Sequence, residues 1–188
     1  MSENNFGSDG DFSHEKMIRK VNTHLANELG NLCQRTLSMV YKNCEKAVPI
    51  NIQPFTKEDE ELLSKAQDLK QICGEAIANQ SIHKYVAAII SIIWDANKYI
   101  DVMEPWVLKK TDPDRMKTVL YVVMEVLRYA ALLYQPLIPE SADKILDQLT
   151  VPKDKRTFHD FDVSIAQGNP ISKPKGIFPR IDLDTAMS

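Results

Sequence analysis

Prolines cut this chain into blocks, and inside each block apolar residues recur every three or four positions. A proline cannot sit in a helix interior, so Pro49, Pro54, Pro105, Pro136 and Pro152 mark boundaries that no helix crosses. In the first block Ile18, Val21, Leu25, Leu29, Leu32, Thr36 and Met39 form one stripe. That spacing predicts an amphipathic helix over 13–46, with Ser13 as its cap and Glu15 in its first turn. Thr56, followed three residues on by Asp59, reads as a capping box for a second helix carrying Leu62, Leu63, Ala66, Leu69, Ile72, Cys73 and Ala76. Ser81 opens a third, nearly apolar all round (Tyr85, Val86, Ile89, Ile90, Ile93, Trp94), which predicts a central place in the bundle and an end near Met103. Asp112-Pro113 is a helix start with proline in the first position, and Pro139 opens a short fifth helix to about residue 149.

The fold expected is all-α: an antiparallel bundle of four to five helices over 13–150, joined by short connections. Residues 1–12 hold Gly7 and Gly10 without periodicity and read as a loop. After Val151 the chain turns irregular, because Pro152, Gly168, Pro170, Pro174, Gly176 and Pro179 leave no room for a long element. This C-terminal tail, 151–188, is expected to lie on the bundle surface or on a neighbouring domain.

Charge and cysteines narrow the function. The net charge is −3 and the pI about 5.8, which argues against a broad phosphate-binding surface. Any RNA recognition must be local and directed at bases. Three widely spaced cysteines, Cys33, Cys44 and Cys73, fit free thiols in a reducing cytoplasm. No apolar run approaches a membrane span, and residues 1–13 lack the features of a secretory signal. The four histidines, His14, His24, His83 and His159, fall on different elements, so no metal site is expected. No phosphate loop, dinucleotide fingerprint, HExxH or nucleophile elbow occurs, so no catalytic residue is assigned.

Two local features remain. On the first helix Asn31 and Arg35, four residues apart, share a surface well off the apolar stripe. An amide beside a guanidinium can read a base edge through several hydrogen bonds; it can equally be a solvated face. Trp106 follows Pro105 directly, with Lys109 and Lys110 behind it. A tryptophan in a turn beside positive charge suits stacking of an unpaired base, or it lids the end of the bundle. Trp94, inside the apolar third helix, is expected in the core.

These residues carry a resemblance. The run NELGNLCQR at 27–35 resembles the NxxGNLxxR segment of the anticodon-binding domain of the methionyl-tRNA synthetase family. NKYID at 97–101, running on to Pro105-Trp106, resembles that family's N-[KR]-Y-[IV]-D…PW segment. FGSDGDFS at 6–13 is similar to its linker, and GIFPRI at 176–181 to its closing LFPRI motif. The similarity covers nearly the whole chain.

The resemblance implies recognition of the CAU anticodon of methionine tRNA. Trp106 would stack on the first anticodon base, a cytosine, Asn31 and Arg35 would hydrogen-bond it, and Asn97 would support the pocket. Arg35, Lys42, Lys98, Lys109 and Lys110 could add phosphate contacts. It further implies a catalytic half with HIGH and KMSKS motifs, absent here, from which residues 1–12 lead and which ligates methionine to its tRNA using ATP. This fragment itself would hold no cofactor. Its partners would be the tRNA and that catalytic half, and it would be a monomer in the cytoplasm. Another class I synthetase, or a helical protein-interaction module without an RNA role, are the alternatives.

Overall fold

The computed structural model describes Lys16, Arg19, Lys20, Thr23 and residues 28–177. The linker 1–12, the Ser13 cap, His14, His24 and Asn27 lie outside the described residues, as do positions 178–188 with most of the closing motif. The four isolated residues are helical. Glu28 and Leu29 form a wider π turn that leads into α1, Gly30–Asn43. The others are α2 (Lys57–Ala78), α3 (Ile82–Met103), α4 (Pro105–Thr111), α5 (Pro113–Tyr134) and α6 (Pro139–Gln148). No strand occurs among the described residues, apart from a single bridge between Ala47 and Pro170. The all-α bundle expected from the stripes is what forms.

Two of the expected caps act where the sequence placed them, while Ser81 stands at the start of α3 without a side-chain capping bond. The Thr56 amide donates to Asp59 Oδ2 at 3.0 Å, closing the start of α2. The Arg115 amide donates to Asp112 Oδ1 at 3.0 Å, with Pro113 as the first residue of α5. The α2–α3 connection is a Schellman turn built without glycine: Ser81 N donates to Ala76 O at 2.7 Å and Gln80 N to Ile77 O at 3.0 Å, with Gln80 left-handed at φ 53°.

α2, α3 and α5 pack on one another, α1 leans mainly on α5, and α4 and α6 also pack on α5. The central helix is therefore α5 and not α3 as expected: every residue from 118 to 134 is buried. The reason lies in Glu125 and Arg128, which look like a polar face but neutralise each other inside. Arg128 Nε donates to Glu125 Oε2 at 2.8 Å, and both side chains are buried. α3 keeps an open side instead. Trp94 is 53% exposed, which corrects the expectation of a core residue. It lies off the stripe of Ile89, Ile93, Ala96 and Ile100 that is buried.

Residues 151–177 pack on the bundle through Phe161, Ile165, Ile171 and Ile177, all buried. Two 3₁₀ turns, Lys153–Lys155 and Phe158–Asp160, are its only helical pieces. Arg128 Nη1 donates to Phe161 O at 2.9 Å, Ile165 N to Glu125 Oε1 at 2.6 Å, and Tyr121 Oη to Ile165 O at 3.1 Å. Further along, Val48 N donates to Asn169 O at 2.8 Å and Ile171 N to Lys46 O at 2.8 Å, tying the segment to the loop after α1. The three cysteines are free and buried. Burial pushes the Cys33 thiol up to about 12 and those of Cys44 and Cys73 up to about 11, so none is a nucleophile at neutral pH. No described helix is long and apolar enough to cross a membrane, and no metal-binding cluster occurs among the described residues.

Candidate nucleic-acid interface

Arg35 and Trp106, far apart in sequence, come together where α1 passes the α3–α4 corner. The Arg35 guanidinium carbon stands 5.7 Å from the centroid of the Trp106 ring. Its Nη2 donates to Asp101 Oδ1 at 2.7 Å, so α3 holds the same group. Trp106 remains 42% exposed, and Asn31 stands in solvent one helical turn before Arg35. The result is an open corner with an indole, a guanidinium and an amide on it. Of the guanidinium's five N–H donors only one is taken by Asp101. An exposed pair of this kind contributes at most about 1 kcal/mol, so it orients Arg35 without locking it.

Asn97 occupies a bracing position. Its Nδ2 donates to Glu28 Oε2 at 3.3 Å and to the Ile93 carbonyl at 3.1 Å. The amide is half-buried and fastens α3 to the turn that opens α1. Asn97 and Asp101 are four apart on α3, while Glu28, Asn31 and Arg35 follow one another at three and four residues on the facing strip of α1. Sequence reasoning assigned Asp101 no role. Its one available signal was its place on the same helical strip as Asn97.

Trp106 also differs locally from the expected turn: it is the second residue of α4, a seven-residue helix. The joint before it is Glu104, which ends α3 and opens α4 in the left-handed region, φ 46° and ψ 59°. An L-residue there carries roughly 1–2 kcal/mol of steric strain. Glu104→Gly is therefore expected to raise the unfolding free energy by about 0.5–1 kcal/mol, the strain less glycine's added entropy cost. Glu104→Val should lower it, since a branched side chain tolerates this region least. Urea denaturation of the two variants checks this, and a destabilised glycine variant would show that the Glu104 side chain, not its backbone, holds the joint.

A family model described as the anticodon binding domain of methionyl tRNA ligase matches residues 48–187. The chain belongs to that family. A second model, of class I tRNA synthetases (M), matches residues 1–37. Among curated relatives, methionine–tRNA ligase of Brucella suis biovar 1 (strain 1330) is 46% identical over 183 residues, 96% of this chain and 35% of the relative. That of Mycobacterium tuberculosis (strain ATCC 25618 / H37Rv) is 45% identical over 179 residues, 93% of this chain and 34% of the relative. The chain thus spans about a third of the length of the curated relatives it matches. Among solved structures, the M. tuberculosis methionyl-tRNA synthetase in its apo form superposes with a TM-score of 0.82 at 45% identity, over 86% of this chain and 33% of that one. The same synthetase bound by methionyl-adenylate gives 0.83 at 44%, over 88% and 33%. The family match favours the methionine synthetases over other class I synthetases.

Proposed function

We propose that this chain is the anticodon-reading part of a methionine–tRNA ligase, and that its α1–α3–α4 corner grips the first anticodon base of methionine tRNA. In this reading a cytosine stacks on the open face of Trp106. Arg35, steadied by Asp101, and Asn31 hydrogen-bond its edge, and Asn97 braces the turn beneath them. The observation that carries the reading is the approach of the Arg35 guanidinium to an indole that is still half open to solvent. A buried tryptophan would have nothing to offer a base. The acidic pI agrees with it, because one stacked and bonded base requires no basic stripe. Methionine activation with ATP belongs, in this reading, to the remaining two thirds of a longer cytoplasmic enzyme.

Titration of the full chain with anticodon hairpins tests it. Binding should follow the first anticodon base, strongest for CAU. Arg35→Ala should reduce the preference for C at that position by about 1–3 kcal/mol, the worth of one good bidentate contact. Equal loss of affinity for every hairpin would make Arg35 a phosphate contact only. Indifference of the parent chain to that base would overturn the reading.

A further inference from the structure

We infer that Asp59, with Tyr99 and Arg115, is a positioning device that sets where the Trp106 indole stands. The starting point is the weakness of α4. Seven residues are too few for a helix to hold itself in water, and within α4 only Pro105 is buried. α4 rests on α5, with Leu108 against the core, so the place of Trp106 depends on that packing and on the two ends between which α4 is strung.

Both ends are held by a single carboxylate. On the upstream side, Tyr99 in the last turns of α3 donates its hydroxyl to Asp59 Oδ1 at 2.5 Å. On the downstream side, Arg115 near the start of α5 donates Nη1 to Asp59 Oδ2 at 2.6 Å and Nη2 to Asp59 Oδ1 at 2.8 Å. Asp59 is itself fixed at the start of α2 by the Thr56 amide, and Arg115 Nη2 reaches Thr56 Oγ1 at 3.3 Å. Met103, the last residue of α3, rests its sulfur 3.8 Å from the same Nη2. Asp59 is wholly buried. Burial alone would push its carboxyl up, but the bonds from Arg115, Tyr99 and Thr56 outweigh it and hold the group below the usual carboxylate range. The Asp59 hydrogen bond, in turn, raises the Arg115 guanidinium above its ordinary value.

The geometry leaves α4 little slack. Its upstream joint is the left-handed Glu104 and its downstream joint the Asp112 cap. Asp101, which steadies Arg35, lies between Tyr99 and Met103, inside the anchored end of α3. One buried ion pair with its phenol therefore sets both the indole and the carboxylate that orients the guanidinium. For its binding consequence the inference rests on the proposed reading of the corner; for the position of the indole it stands on these bonds alone.

The test uses the full chain in a Trp94→Phe background, which leaves Trp106 as the only indole of the two. Tyr99→Phe removes one hydroxyl, and Arg115→Lys keeps the charge but loses the two-pronged grip. Each is expected to shift the Trp106 emission and its iodide quenching without RNA, well below the unfolding temperature. Each should also lower the preference for a CAU over a UAU hairpin about tenfold, a loss of register rather than of charge. Glu125→Gln, which weakens the distant tail anchor, should lower Tm and leave both readouts unchanged. Unaltered emission and base preference in Tyr99→Phe and Arg115→Lys, with only Tm reduced, would overturn the inference and leave the cluster a stabiliser. Should the parent chain show no preference between hairpins, base recognition at the corner fails, and the emission arm still decides whether the anchor sets the indole.

Discussion

Trp106→Ala is expected to weaken binding of a CAU anticodon hairpin by about 1–3 kcal/mol, the usual worth of a base stacked on an aromatic ring. The indole has a face to give, being 42% exposed, and it stands beside a guanidinium that would bond the edge of the base it stacks. Folding stability should fall by a smaller amount, about 1 kcal/mol, because the half-covered ring loses part of its packing but leaves no enclosed cavity. Titration of the variant beside a thermal melt separates the two effects. Trp106→Phe should recover part of the affinity, since a smaller ring still stacks. Unchanged affinity in the alanine variant would remove the corner from RNA recognition, whatever happens to stability.

Glu125→Ala is expected to be the most damaging single change to the fold, costing about 3–5 kcal/mol. It strips the counter-charge from Arg128, which has almost no solvent access and a second nitrogen, Nη2, already without a hydrogen-bond partner. It also takes the acceptor from the Ile165 amide, loosening the tail where it crosses α5. The Tyr129 ring, 4.2 Å from the Arg128 guanidinium, offsets only part of that charge. Tm should fall by roughly 10 °C for a chain of this size. Glu125→Leu combined with Arg128→Met should recover most of the loss, since the costly species is a lone buried charge and not the missing pair. A single-variant cost below about 1 kcal/mol, measured by urea denaturation, would mean that the tail is held by its apolar residues alone.

The stripes, the Thr56–Asp59 box and the Asp112-Pro113 start placed the longer helices within a few residues, because each signal acts within about one turn of where it is written. Trp94 misled because it sits in an apolar run, where periodicity is blurred and the exposed strip cannot be told from the buried one. Glu125 and Arg128 carried no sign in the sequence that they are buried. A polar pair at i, i+3 looks solvated until the chain returns to cover it. α4 was hidden because seven residues between two prolines carry too few turns to show a period. Asp59 was visible as a cap, yet not as the anchor of Arg115 and Tyr99.

By itself the sequence determined the helices, their caps, the irregular end and the motifs of the synthetase family, all of which depend on neighbours a few residues away. Only the tertiary structure decided that Arg35 faces Trp106 and Asp101, that Asp59 joins three helices, and that α5 and not α3 lies at the centre. These are meetings between distant segments. They follow from how whole helices pack, and no local pattern encodes which side chains that packing will bring into reach.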